Sequence, residues 1–274
     1  MAWTFQNRLA GALIGRRMLL RLFAAAAALP AWAGSQPRAD GALVAIGGGA
    51  KAGIYADVLQ LYGRPAPRIL VIPQAAPAAD LEGAVEDSRK LFAESGADGV
   101  EGLDLSRIDQ ARAQIAGADI IWMSGGRQGR LANALRQAGL VEDIRLRFAA
   151  RRGIIAGTSA GASIMSHIMI ETSRRDAAGT RHPILARGLG LWPEAIIDQH
   201  FSQRGRLQRL TRAIERHPDL IGIGIDEDTG FVRFGDGSTR VIGTGTVTIV
   251  RAVSHSPITT EATRLHRDRI LEPL

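Results

Sequence analysis

Ile154-Ile155-Ala156-Gly157-Thr158-Ser159-Ala160-Gly161-Ala162 is the stretch that decides the fold. Its first residues are apolar on both faces, as a fully buried parallel strand requires. The run stops at Gly157 and passes into G-x-S-x-G, where small residues let the chain turn tightly and hold the serine exposed. A helix is expected to follow through His167, with its free N–H groups and positive end aimed at the turn. The Ala160 N–H is then placed to stabilise an oxyanion. Gly-rich strand-to-helix turns also bind phosphate, so this turn alone does not decide the chemistry.

The same texture recurs on both sides. Leu43–Ile46 runs into Gly47-Gly48-Gly49, Ile69–Ile72 ends at Pro73, and Ile120–Met123 leads into Ser124-Gly125-Gly126. Between these runs, residues 81–95 and 130–148 carry apolar residues at helical spacing. Strand and helix in alternation predict a three-layer α/β fold, a mostly parallel sheet flanked by helices. After Ile221–Ile225 the Thr- and Val-rich segments around the Gly235-Asp236-Gly237 turn predict a short antiparallel C-terminal extension. One domain is expected over residues 41–252, and residues 253–274 read as a polar, weakly structured tail. The Gly47–Gly49 run is not G-x-G-x-x-G and lacks the Lys-Ser/Thr pair of a phosphate loop, so nucleotide binding is not expected there.

Bulk composition narrows the function. Of 274 residues, 46% are hydrophobic and 22% charged, the balance of a chain that can bury a core. The net charge of +7 is concentrated at the start: residues 1–33 hold Arg8, Arg16, Arg17, Arg21 and no acid. The remainder has 30 basic against 27 acidic side chains, a net of +3, with no basic block and few aromatics, which argues against nucleic acid as a partner. The absence of cysteine excludes disulfides, thiolate metal sites and a cysteine nucleophile. Arg16-Arg17, the apolar run 22–33 and the closing Ala31-Trp32-Ala33 have the parts of an export signal over residues 1–33. The segment Arg16-Arg17-Met18-Leu19-Leu20-Arg21 resembles a twin-arginine signal, with cleavage expected after Ala33. A periplasmic or extracellular location follows, without stable membrane insertion, since the run is too short to span a bilayer.

A serine nucleophile needs a base in reach and an acid to orient that base. His255 and His266 lie in the polar tail, and His217 precedes Pro218 at a helix end. His167 falls two turns beyond Ser159, and His182 sits in the polar stretch 173–187, expected to be a loop. His200, in Asp198-Gln199-His200-Phe201 after the apolar Ala195-Ile196-Ile197, sits at a strand end, where α/β sites gather. The acid could be Asp226, Glu227 or Asp228, clustered behind Ile221–Ile225. Three adjacent carboxylates repel one another unless a cation or imidazolium is near, and their spacing does not match a calcium loop.

Gly157-Thr158-Ser159-Ala160-Gly161-Ala162, Asp198-Gln199-His200-Phe201 and Gly224-Ile225-Asp226-Glu227-Asp228-Thr229, in this order and at these intervals, resemble the cyanophycinase-like S51 peptidases. The resemblance covers residues 42–250. It implies a flavodoxin-like core shared with class I glutamine amidotransferases, and Ser159, His200 and Glu227 as nucleophile, base and orienting acid. It also implies an oxyanion hole from the N–H groups of Ala160 and Gly126, with Gln128, Asp198, Gln199, Arg204, Arg206 and Arg209 as substrate groups. By the same resemblance the substrate is cyanophycin, a polyaspartate chain with arginine on each side-chain carboxylate. The resemblance further implies β-aspartyl-arginine as the product, no metal or organic cofactor, and a homodimer as the assembly to expect. Arginines suit the free carboxylates of such a polymer. Arg209, Arg212 and Arg216 also fall on one helical stripe, as a solvated face would.

Two departures stand out. Arg127 occupies a position where the family shows aspartate, and residues 173–187, with Arg174, Arg175 and Arg181, are unlike a Gly- and Ser-rich loop. They leave open a related peptidase acting on other aspartyl or isoaspartyl peptides. A non-catalytic peptide-binding protein would be favoured by loss of the serine, histidine or glutamate, and all three are present.

Overall fold

The computed structural model describes residues 40–256 and 258–273, and the expected export segment lies outside them. Strands β1 (Ala42–Ile46), β2 (Ile69–Ile72), β3 (Val100–Gly102), β4 (Ile120–Met123) and β5 (Ile154–Thr158) run parallel, in the spatial order β3-β2-β4-β5-β1. All but the edge strand β3 are apolar on both faces because helices cover both. Helices α1 (Ala52–Tyr62) and α2 (Leu81–Glu94) take one face, where Tyr55, Phe92 and Trp122 pack ring against ring. Helices α3 (Ile108–Gly117), α4 (Gln128–Gln137) and α5 (Val141–Ala149) take the other. The single helix expected over 130–148 is thus two, broken around Gly139.

The three-layer arrangement is the expected one, with additions. The short helix α6 (Ala160–Ser163) follows β5 and stops after one turn, so His167 lies outside it. Just past its end the Ser166 hydroxyl accepts the Ile197 N–H at 3.0 Å, a bond to a distant strand that a continued helix would not allow. Residues 173–187, expected as a loop, belong instead to a hairpin of β6 (Ile168–Arg175) and β7 (Arg181–Arg187). Asp176 closes its turn by accepting the Ala178 and Thr180 N–H groups at 3.0 and 2.8 Å, while its other oxygen meets His182 at 2.7 Å.

Beyond this hairpin lies a second sheet. Strands β8 (Ala195–Asp198) and β9 (Ile221–Ile225) are parallel to each other but do not join the first sheet. They pair with β12 (Val247–His255) and β13 (Ile258–Leu265) in the order β13-β12-β9-β8. Ile197, Ile223, Ile225, Val247 and Ile249 point into the main core, and Ile196 and Val250 point outward against α7 (Leu207–Arg216). Meanwhile β10 (Thr229–Arg233), β11 (Thr239–Gly243) and β14 (Ile270–Leu271) extend the first sheet antiparallel beyond β1. The stretch after Ala252 is therefore not a weakly structured tail. Strand β12 crosses that boundary, β13 pairs along it, and Leu265 is buried. Its polar look reflects an edge strand whose backbone pairs while most of its side chains face water.

Candidate active site

Four strands of the two sheets end at one place. Ser159 follows β5 with φ +52° and ψ −107°, a conformation L-residues seldom adopt. Its N–H donates to the Ile46 carbonyl at 2.9 Å, which ties the turn to the end of β1. The two glycines of G-x-S-x-G are there for close approach. A Cβ on Gly157 would come 2.4 Å from the Gly161 backbone, and one on Gly161 would come 2.2 Å from the Met123 carbonyl.

His200 follows β8, with φ +46°, and its N–H donates to the Gly47 carbonyl at 2.6 Å. Its Nε2 lies 3.0 Å from the Ser159 hydroxyl, and its Nδ1 lies 2.5 Å from Glu227 Oε1. Both distances are hydrogen-bond lengths, so one imidazole bridges a hydroxyl and a carboxylate. Glu227 belongs to Asp226–Asp228, the three-residue link through which β9 of the second sheet becomes β10 of the first.

That link resolves the crowding of three acids, because each points to a different partner. Asp226 accepts the Ser202 N–H at 3.0 Å and both the N–H and the hydroxyl of Thr246, at 3.1 and 2.6 Å. Burial would raise its pKa, but these donors outweigh burial and hold the carboxyl below its ordinary value. Asp228 accepts the Lys51 N–H and the Thr244 hydroxyl, each at 3.1 Å. Only Glu227 turns to the histidine. Among the described residues no three His, Asp or Glu side chains are grouped to hold a metal ion.

Burial disfavours the imidazolium of His200 and moves its pKa below the ordinary histidine value. Glu227 pulls the other way, and the nearby Arg204 and Arg206 add to the lowering. A neutral imidazole beside a hydroxyl is what proton abstraction needs.

Gly47–Gly49, which carries no nucleotide signature, has a different use. A Cβ on Gly48 would stand 2.3 Å from Cε1 and 2.4 Å from Nε2 of His200, so the imidazole lies directly on this glycine. Asp228 N–H donates to the Gly48 carbonyl at 2.8 Å. The run is the seat on which the His–Glu pair rests. Sequence reasoning missed it, although three glycines at the end of a buried strand signal a close neighbour. It also missed Gln203, whose Oε1 accepts the Glu227 N–H at 3.1 Å.

The remaining expected residues divide. Ala160 opens α6, where first-turn N–H groups lack an intrahelical acceptor. Gly126 is exposed on the turn after β4, and the adjoining Gly125 comes within 3.4 Å of the Ser159 Cβ, measured from a Cβ built on the glycine. Arg204 is exposed beside the hairpin, its carbonyl accepting from Arg181 at 3.3 Å. Gln128 is buried, and its amide donates to the carbonyls of Ile170 and Glu171 at 2.9 and 2.8 Å, anchoring the hairpin to α4. Asp198, Gln199, Arg206 and Arg209 are buried together behind His200. Arg209 therefore leaves the solvated stripe expected for it, because Asp198 draws it inward.

Fold and site define an α/β enzyme of the hydrolytic kind, a mostly parallel sheet flanked by helices with Ser159, His200 and Glu227 brought together where the strands of two sheets end. The family model described as peptidase family S51 matches residues 43–242. The chain is 36% identical over 254 residues to a cyanophycinase of Trichormus variabilis, covering 84% of each. It is 38% identical over 218 residues to one of Geminocystis herdmanii, covering 74% of this chain and 78% of that one. The chain belongs to peptidase family S51, and it is a peptidase. In fold it is similar to a peptidase from an acI-B1 Actinobacterium, with TM-score 0.63 and 22% identity over 86% of this chain and 98% of that one. It is also similar to a putative peptidase E protein from Listeria monocytogenes, with TM-score 0.55 and 20% identity over 74% and 98%.

Proposed function

We propose that the protein is a serine-type exopeptidase that hydrolyses cyanophycin to β-aspartyl-arginine through an acyl-enzyme on Ser159. The observation that carries the mechanism is the unbroken chain from the Ser159 hydroxyl through His200 to Glu227, at 3.0 and 2.5 Å. The substrate follows from the named activity of the relatives. Ser159 Oγ attacks an aspartyl carbonyl while His200 Nε2 takes its proton, and Glu227 stabilises the resulting imidazolium. The N–H groups of Ala160 and Gly126 receive the oxyanion. The tetrahedral intermediate collapses, His200 returns the proton to the departing amine, and water repeats the sequence to free the acid and restore the serine.

Incubating the purified protein with insoluble cyanophycin, with mass detection of soluble products, tests this. Release of β-aspartyl-arginine, lost in Ser159→Ala, is the expected result. Labelling of Ser159 by a serine-reactive probe without dipeptide release would move the search to other aspartyl peptides. The exposed Arg127 beside the oxyanion turn and the arginines of the β6–β7 hairpin favour that second reading.

Two further inferences concern the whole chain. Arg16-Arg17 and the apolar run behind them support export by the twin-arginine route, to be tested by fusing residues 1–40 to a reporter in wild-type and Arg16→Lys/Arg17→Lys forms. The homodimer implied by the family resemblance is tested by sedimentation. Among the described residues, no helix is long and apolar enough to cross a membrane.

A further inference from the structure

Two links beside the site carry the chain between the sheets. Residues 226–228 lead from β9 of the second sheet to β10 of the first, and residues 244–246 lead back from β11 to β12. Asp226 stands where the links meet, and it is buried. Its N–H donates to the Thr246 carbonyl at 3.1 Å, and its Oδ2 accepts the Thr246 N–H and hydroxyl at 3.1 and 2.6 Å. Its other oxygen, Oδ1, accepts the Ser202 N–H at 3.0 Å, from the segment just behind His200. Glycines let the surroundings close on this residue. A Cβ on Gly47 would collide with the Asp226 carbonyl, and one on Gly245 would come 2.9 Å from the Asp226 Cβ.

The segment behind the base is matched to the acid link residue for residue. The Phe201 N–H donates to the Ile225 carbonyl at 3.1 Å, and the Ser202 N–H to the Asp226 carboxylate at 3.0 Å. The Glu227 N–H then donates to the Gln203 side-chain oxygen at 3.1 Å. Asp226 is the middle rung of this ladder, and the rung that also grips the second link. His200 and Glu227 project from its two sides and meet at 2.5 Å. A histidine at φ +46° needs surroundings that over-determine it, and the ladder supplies them.

We propose that Asp226 is a positioning residue for the catalytic pair, its carboxylate fixing the register between the segment that carries His200 and the link that carries Glu227. A carboxylate suits the place because it only accepts, and here donors face both of its oxygens. An amide of the same shape does not. Turned one way, its NH2 faces the Ser202 N–H; turned the other, it faces the Thr246 N–H. Either way one N–H loses its acceptor, so the base segment or the second link is released. Glu227 then no longer meets the imidazole at its present distance, and the imidazole no longer meets Ser159.

The inference rests on the Ser159–His200–Glu227 reading, and the test separates the two. Phenylmethanesulfonyl fluoride is small and uncharged. Ser159 Oγ bonds its sulfur, fluoride leaves, and His200 takes the serine proton, so the labelling rate reports the base. The full chain is labelled as wild type, Asp226→Asn, Thr246→Val and Thr246→Ser, and both the rate and the final extent are read by mass. An unfolded fraction lowers the extent, whereas a misplaced base lowers the rate. The expected result is complete labelling of Asp226→Asn at a rate about tenfold or more below wild type, on the scale of a misplaced base. Thr246→Val, which removes a donor hydroxyl at nearly constant size, should slow labelling less. Thr246→Ser, which keeps the hydroxyl, should match wild type. On cyanophycin the Asp226→Asn loss should appear in kcat, with KM little changed. A wild-type labelling rate in Asp226→Asn, or a loss confined to KM, would overturn the proposal. If Asp226→Asn does not fold, Thr246→Val decides alone, since labelling there at the Thr246→Ser rate is the same refutation. A wild-type protein that resists labelling at Ser159 would overturn the catalytic reading, and this inference with it.

Discussion

Gly48→Ala adds one methyl group to a residue that has no side chain of its own, yet it should nearly silence the enzyme. The new Cβ would lie 2.3 Å from Cε1 and 2.4 Å from Nε2 of His200, where carbon contacts settle at about 3.5–4.0 Å. The imidazole must therefore retreat by about 1 Å or more, and it has little room, because Glu227 stands 2.5 Å behind Nδ1. A retreat of that size stretches the 3.0 Å bond to Ser159 past the reach of about 2.6–3.2 Å that proton abstraction needs. Misplacement on this scale costs about 10²-fold in rate. The fold should suffer less. Gly48 has φ +95°, and holding an L-residue at positive φ costs about 1–2 kcal/mol. For a domain of this size that is a fall of a few degrees in Tm. The assay pairs thermal melting with labelling of Ser159 by phenylmethanesulfonyl fluoride. A Gly48→Ala protein that labels at the wild-type rate would refute the claim that His200 rests on this glycine.

Three further outcomes follow from the same geometry. Glu227→Gln keeps the shape but removes the charge that stabilises the imidazolium, and kcat should fall by about 10²–10⁴ with little change in Tm; a variant within threefold of wild type would remove Glu227 from the mechanism. Burial disfavours the protonated form of His200, so the acid limb of kcat/KM should have its midpoint below the ordinary histidine value of about 6.5. Because the folded pKa is the lower one, the unfolded chain takes up the proton first; this histidine's contribution to stability is complete above about pH 6.5 and is lost as pH falls through the folded value. A limb centred above 6.5 would contradict both statements. Ending the chain at Ala252 removes the end of β12 and all of β13 and β14, baring the edge of β12 and deleting the buried Leu265. The shortened protein should melt at least several degrees lower or aggregate, whereas an unchanged melting curve would show that the tail is dispensable.

What could be read beforehand depended on whether a residue's role shows in its own neighbourhood of sequence. The buried strands ending at Ile46, Met123 and Thr158 were legible because two-sided apolar runs have few other uses, and Ser159 because its turn demands small residues on both sides. His200 and Glu227 were visible as polar residues at strand ends, although the choice of acid came from resemblance and not from spacing. The second sheet was not visible. Strands of either sheet share the same apolar texture, and nothing in Ala195–Ile197 or Ile221–Ile225 says which sheet they join. The hairpin hid because its strands are rich in arginine, and β13 because an edge strand is held by backbone bonds that have no side-chain signature. Arg209 illustrates the hardest case: helical spacing puts it in line with Arg212 and Arg216, and only the buried Asp198, which ends β8, turns it inward.

Ser159 hangs from the eight-stranded sheet, His200 from the four-stranded one, and Glu227 from the three-residue cord that joins them. Neither sheet by itself owns a working set of groups. The three groups therefore meet only at the seam between the sheets, where the imidazole rests on Gly48. A chain with either sheet unmade cannot bring the serine hydroxyl, the imidazole and the carboxylate together.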